Sequence, residues 1–145
     1  MDQFKIPDGL FTSLFPPRSD FECKMNIAVR VDNKTPLANL PIGLSARLVS
    51  EAVIHAYQSG LQFDAASVRQ WELGAWPKIA VKCRNEGELR EVEKKAKENG
   101  VNSFVLEKPA SELGMSGEGN IAVICVVGPA LKSKVDMCTG HLKLL

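Results

Sequence analysis

The chain has no large excess of charge of either sign and no long apolar run. Its 145 residues carry 18 Lys and Arg against 17 Asp and Glu, a formal net charge of +1 at pH 7. This balance excludes a global attraction to nucleic acid, so any basic patch must be local. No apolar stretch approaches the roughly 20 residues that a membrane span needs. The first residues lack the pattern of a signal peptide, so we expect a cytoplasmic protein.

Cysteine is also scarce, and its spacing matches no metal site. The four cysteines, Cys23, Cys83, Cys125 and Cys138, form no Cys-x-x-Cys pair and no zinc-finger or zinc-ribbon pattern. Cys83 and Cys125 lie in apolar runs typical of strands, so we expect buried, inert thiols. Cys138 is a conceivable nucleophile, although its thiolate fraction should be small. This usage suits a reducing compartment.

The pattern of apolar residues predicts alternating strands and helices. We expect strands at 26–31, 78–83, 103–107 and 121–127, and helices at 45–58, 64–73, 86–99 and 130–138. Helical connections imply a mainly parallel sheet with helices on its faces. The short gap before the fourth strand permits one antiparallel pair. The unbroken apolar run 121–127 predicts an interior strand.

Two segments have little regular pattern. Residues 1–24 contain four phenylalanines and a Pro-Pro pair, which disfavours a helix. We predict an irregular N-terminal arm over 1–24 that lies on the domain or on a partner, and a folded domain over 25–145. Residues 109–120 contain three glycines without apolar periodicity, which predicts a mobile loop.

Several segments together resemble the type 2 peptidyl-tRNA hydrolases. The tail 139–145, Thr-Gly-His-Leu-Lys-Leu-Leu, is very like the C-terminus of that family, and Gly128-Pro129 after an apolar strand also fits. Residues 28–32, with their Arg-x-Asp ending, resemble its first strand. The resemblance implies a three-layer α/β sandwich, a four-stranded mixed sheet and hydrolysis of the ester between peptide and tRNA. It also implies a tRNA partner, a homodimer, and no metal or organic cofactor.

The reactive positions of that family are largely changed here. The loop 39–44 lacks the family's lysine, Glu51 stands in place of a helix histidine, and 107–112 replaces an Asp-x-Gly-Arg-Thr-type run. The stretch 40–46 is similar instead to a sister group of uncharacterised bacterial proteins thought to share this fold. We therefore expect reduced or altered hydrolase activity. The alternative is a catalytically inactive binding protein on the same fold.

Three residues are candidates for the chemistry. Ester hydrolysis needs an activated water and donors for the developing oxyanion. Asp32 follows the first strand at the end where parallel sheets place their sites, and Arg30 shares its face. Glu107 ends the third strand. The alternatives are a turn-forming Asp32, a structural Arg30–Asp32 salt bridge and a solvated Glu107.

Three cations are candidates for binding tRNA phosphates. Arg47 lies near the start of the first helix, where anions are favoured, and together with Lys34 and Lys82 it is expected to bind a phosphate. We expect the site at a mouth formed by Asp32, the loop 39–44, Arg47 and the loop after Glu107. The two histidines are also considered. His55 is interpreted as a surface or packed residue, and His141 as a structural residue or a catalytic one.

Overall fold

A computed structural model of the chain describes residues 22–32 and 39–145. Nearly all of the predicted arm, and Lys34, lie outside the described residues. Within them the chain forms four strands, namely β1 (Cys23–Arg30), β2 (Lys78–Cys83), β3 (Ser103–Pro109) and β4 (Asn120–Leu131). The helices are α1 (Ile42–Phe63), α2 (Ala65–Leu73), α3 (Glu86–Glu98) and α4 (Lys132–Thr139), with a 3-10 turn at Ala110–Leu113.

The four strands form one mixed sheet in the order β2-β1-β4-β3. β1 pairs in parallel with β2, and β4 pairs antiparallel with both β1 and β3. The four-stranded mixed sheet and the interior position of residues 121–127 are confirmed, but the prediction of a mainly parallel sheet is wrong. β1, β2 and β3 do run in one direction, as their helical connections require. β4 returns between β1 and β3, so this one reversed strand forms two antiparallel pairs.

Helices cover both faces of the sheet and complete the predicted three layers. On one face, α1 and α2 pack against alternate residues of β1, in a core that contains Met25, Ile27, Val29, Leu48, Ala52, Ala56 and Trp71. On the other face, α3 and α4 pack against the sheet through Leu89, Val92, Ala96, Val135 and Cys138. Burial of these apolar side chains is the main favourable term in folding. Among the described residues, no helix combines the length and the apolar character that crossing a membrane requires.

Two helices begin with a side-chain cap. The side chain of Asp64 accepts a hydrogen bond from Ser67 N at 3.2 Å at the start of α2. Asn85 accepts from Glu88 N at 2.8 Å at the start of α3. Each side chain satisfies a backbone donor that the first helical turn leaves without a partner. These two helices therefore begin where predicted.

Other boundaries differ from those predicted. β1 begins at Cys23, so Cys23 and Lys24 pair with the end of β4 instead of belonging to an irregular arm. α1 begins earlier than predicted and continues through Gly60. A Cβ at Gly60 would lie 3.0 Å from Val68 Cγ2. Gly60 therefore allows α1 and α2 to approach closely, and α1 continues to Phe63, past its predicted end at residue 58.

The segments around β4 are more regular than predicted. β4 continues through Gly128-Pro129 to Leu131. Gly128 has φ +103°, and a Cβ there would lie 2.6 Å from Lys24 O, so only glycine fits. The predicted mobile loop contains the 3-10 turn, whose Ala110 and Leu113 are buried. The predicted loop therefore contains one regular turn, and Leu113 packs in the same core cluster as α1.

The C-terminal tail is held by contacts around its first two residues. Thr139 is buried, and its hydroxyl accepts a hydrogen bond from Asn26 Nδ2 at 2.8 Å. A Cβ on Gly140 would lie 2.6 Å from Asp136 O. The Thr-Gly pair therefore anchors the end of α4 to β1 and allows the chain to turn tightly there.

The rest of the tail pairs with the outer edge of β2. Lys82 N donates to Lys143 O at 2.9 Å, and Leu145 N donates to Ala80 O at 3.0 Å. These bonds flank an antiparallel bridge between two further residues of the same segments. The tail thus covers strand groups that would otherwise be available for pairing with another chain.

Candidate active site

Arg30 and Asp32 are joined at the carboxyl end of β1. The Arg30 side chain is only 6% exposed and that of Asp32 is 17% exposed. Arg30 Nε donates to Asp32 Oδ1 at 2.8 Å, and Nη2 donates to Asp32 Oδ2 at 3.1 Å. Arg30 Nη1 also donates to Ala122 O of β4 at 3.2 Å. The guanidinium therefore fixes both carboxylate oxygens, a geometry that gives strong and directional pairs.

Glu107 is connected to this pair only through α3. Its Oε1 accepts from Arg90 Nη2 at 2.5 Å, and Arg90 Nε lies 3.6 Å from Glu86 Oε1. Glu86 Oε2 in turn lies 4.0 Å from Arg30 Nη1. The structure therefore brings Arg30 and Asp32 into direct contact and places Glu107 at the far end of a chain of ion pairs.

An apolar cavity of about 520 Å³ lies beside the end of β1. It is lined by strand residues, by the first turns of α1 and by the tail, namely Val29, Val31, Ile42, Ser45, Ala46, Val49, Ser50 and Leu145. The predicted loop contributes Ile42, which is the first residue of α1 and is 88% exposed. Concave apolar surfaces of this size are typical of ligand sites.

A second cavity, of about 460 Å³, is basic and lies at the carboxyl end of β2. Its lining is Val31, Lys82, Arg84, Glu88, His141, Leu142 and Lys143. Val31 lines both cavities and immediately precedes Asp32. An apolar cavity and a cationic cavity therefore adjoin at the strand end that holds the Arg30–Asp32 pair.

The predicted phosphate ligands do not all meet at this place. Lys82 lines the basic cavity, as do Arg84 and Lys143, which the sequence analysis did not single out. Arg47 is exposed on α1 and is not among the residues that line either cavity. Lys34 lies outside the described residues. Lys143 reaches the basic cavity because the tail pairs with β2, and no local sequence pattern indicates this pairing.

The two histidines differ in their surroundings. The ring of His55 stacks on Phe104 with a centroid separation of 4.6 Å and its side chain is 44% exposed, which confirms a residue packed at the surface. His141 is exposed and lines the basic cavity.

The four cysteines are free and buried, as expected for inert thiols. Burial raises the pKa of Cys83 from 9.0 to about 12, and the nearby Glu88 adds to the effect. Burial also raises the pKa of the Cys125 thiol and that of Cys138, whose Sγ donates to Lys134 O at 3.4 Å. A raised pKa lowers the thiolate fraction at neutral pH, so none of these three residues is suited to nucleophilic attack.

Comparison with known proteins identifies the family. The model of the Peptidyl-tRNA hydrolase PTH2 family matches residues 23–145. The chain belongs to this family. Two relatives named "Probable peptidyl-tRNA hydrolase 2" are each 32% identical, over 122 residues in Drosophila melanogaster and over 123 in Dictyostelium discoideum. The matches cover 84% and 85% of this chain, but only 61% and 55% of those relatives. The "Peptidyl-tRNA hydrolase" of Methanopyrus kandleri is 30% identical over 123 residues, which cover 84% of this chain and 97% of the relative.

One ion pair in this family member lies where the sequence analysis found reactive positions changed. Lys108 Nζ lies 2.7 Å from Glu51 Oε1, with Glu112 Oε2 at 3.9 Å. The side chains of Lys108 and Glu51 are 17% and 32% exposed. Glu51 directly follows Ser50, which lines the apolar cavity. Lys108 was not among the predicted site residues, because it pairs with Glu51 through a tertiary contact that no local pattern indicates.

Proposed function

We propose that this chain hydrolyses peptidyl-tRNA at the ester between the peptide and the tRNA. Membership of the family supports this activity. The observation that carries the proposal is that the apolar and basic cavities adjoin at Val31, next to the Arg30–Asp32 pair. Peptidyl-tRNA joins an acyl group to a polyanion. Two cavities of these opposite characters suit the two sides of its ester bond.

In the proposed mechanism Asp32 is the general base. It takes a proton from the water that attacks the ester carbonyl and returns this proton to the ribose oxygen of the tRNA when the ester C–O bond breaks. Arg30 holds the carboxylate of Asp32 in a fixed orientation. Lys108, positioned by Glu51, is the proposed cation that stabilises the developing oxyanion. Glu107 is the weaker candidate, because it is connected to the end of β1 only through Arg90 and Glu86. Its predicted catalytic role stays a prediction.

Cationic residues near the two cavities are proposed to bind tRNA phosphates. Lys82 is the best placed of the three predicted ligands, because it lines the basic cavity. Arg47 could contact tRNA only outside the two cavities, and its role stays a prediction, as does that of Lys34. Because the loop 39–44 lacks the lysine of the family pattern, we expect weak and salt-sensitive tRNA binding.

A turnover assay with labelled peptidyl-tRNA tests the proposal. The wild-type chain should release free peptide, at a rate far below that of a family member with the full motif set. Asp32→Asn should lower turnover by roughly a hundredfold to ten-thousandfold, which is the usual contribution of one general base. The matched control is Glu98→Gln on the exposed side of α3, and it should keep wild-type turnover.

Other results would change the assignment. Full activity of Asp32→Asn would make Asp32 a turn residue. Binding of tRNA by the wild type without any peptide release would instead support the catalytically inactive binding protein.

We also propose a cytoplasmic location and a homodimer. The four free, buried thiols are compatible with a reducing compartment. Light scattering during size-exclusion chromatography measures the mass directly. A mass equal to that of one 15.8 kDa chain would reject the homodimer.

A further inference from the structure

Two lysines face each other where the tail pairs with β2. The bridge between Val81 and Leu144 is antiparallel, which places Lys82 directly opposite Lys143. Lys82 N donates to Lys143 O at 2.9 Å. Residues opposite each other in this way have Cβ atoms about 4.5–5.5 Å apart. Both side chains are exposed, and both line the basic cavity.

This arrangement is unfavourable in the absence of an anion. Like charges directly opposite each other destabilise a strand pair. Within residues 22–32 and 39–145, no carboxylate forms an ion pair with either Lys82 or Lys143. The one carboxylate that lines the cavity, Glu88, lies 3.0 Å from Arg84 Nε. The cavity therefore keeps an excess of positive charge at the two facing amines.

We propose that Lys82 and Lys143 together bind one phosphate group of tRNA, in the cavity that Arg84 and His141 also line. The assignment of that phosphate to tRNA rests on the proposed function. A phosphate between the two amines replaces their repulsion by two charge-assisted contacts. Because Val31 lines both cavities, a phosphate bound here lies beside the apolar cavity proposed for the acyl side of the ester.

Binding of deacylated tRNA across a salt series tests the proposal without depending on turnover. Fluorescence anisotropy compares the wild type with Lys82→Gln, Lys143→Gln and the double variant. Because the two lysines share one phosphate, the double variant should reduce the magnitude of the slope of log affinity against log salt by about one unit, and each single variant should reduce it by less. Raising NaCl from about 50 to about 200 mM should then weaken binding by the double variant roughly 3.5-fold less than binding by the wild type. The control, Lys94→Gln/Lys97→Gln, removes two lysines of α3 that are paired with Glu98 and Glu93 and should leave the slope unchanged.

A second measurement uses inorganic phosphate as the probe. Phosphate should raise the melting temperature of the wild type and should do so less for the double variant. Without phosphate, the double variant should melt no lower than the wild type, because its strand pair lacks the repulsion.

The two measurements separate the possible failures. An unchanged salt slope in the double variant would overturn the assignment to tRNA. A loss of phosphate stabilisation together with an unchanged slope would leave a site for free phosphate only. An unchanged slope with no phosphate stabilisation of the wild type would overturn the anion site altogether. If the double variant shows the expected decrease in salt slope but the wild type releases no peptide, the proposed hydrolysis is rejected and the phosphate site is kept.

Discussion

Asp32→Asn should destabilise the fold as well as slow the reaction. Arg30 is nearly buried, and two nitrogens of its guanidinium each donate a hydrogen bond to one carboxylate oxygen of Asp32. An asparagine keeps one acceptor, replaces the other by an amide nitrogen and removes the negative charge. Arg30 then keeps its bond to Ala122 O and the more distant Glu86, at 4.0 Å.

The magnitude follows from burial. Removal of one partner of a fully buried ion pair costs about 3–5 kcal/mol, and loss of a hydrogen bond to a charged group costs about 1.5–3 kcal/mol. Asp32 keeps some exposure and Glu86 compensates part of the charge, so we expect a loss of about 2–3 kcal/mol in the free energy of unfolding. For a chain of this length that corresponds to a melting temperature about 6–9 °C lower.

Thermal and urea unfolding followed by circular dichroism measure this loss. Glu98→Gln is again the matched control, because its pair with Lys94 is exposed and 3.9 Å long. It should change stability by less than about 0.5 kcal/mol. Adding Arg30→Met to Asp32→Asn should recover part of the loss, since no uncompensated buried charge remains. A melting temperature of Asp32→Asn within about 1 °C of the wild type would refute the reasoning, as would strictly additive effects in the double variant.

Three further predictions concern other parts of the chain. The thiol of Cys83 ionises near pH 9.0 in the unfolded chain but stays neutral in the folded chain up to its raised pKa of about 12. The melting temperature should therefore fall as pH rises from 9.0 toward 12, and this fall should be smaller in Cys83→Ala. Gly128→Ala should lower the free energy of unfolding by about 3 kcal/mol or more, because its Cβ would clash with Lys24 O. Gly100→Ala, with φ +64° and open space around it, should lower it by only about 1–2 kcal/mol, and urea unfolding measures both. Lys108→Gln should lower kcat for peptidyl-tRNA roughly a hundredfold, and an unchanged kcat would leave its pair with Glu51 a structural role.

Local sequence pattern predicted the elements of this fold, because local forces form them. Asp64 and Asn85 cap helices through hydrogen bonds to backbone groups three residues away, so a short stretch of sequence is enough to predict where these helices begin. The apolar run of β4 indicates burial on both faces for the same reason. The spacing of two positions between Arg30 and Asp32, at the end of β1, also predicted that their side chains share a face.

The partners of each strand were decided only by the tertiary structure. Every residue of 121–127 is apolar, so the pattern contains no information about register or about the shift where β3 and β4 pair. The interior position of β4 has a local signal, but the choice of β1 and β3 as its neighbours has none, and this choice makes the sheet mostly antiparallel. Long-range pairing likewise brings Lys143 opposite Lys82 and Lys108 to Glu51. These contacts join residues about 60 positions apart, and their energy depends on the packed sheet and not on any neighbouring residue.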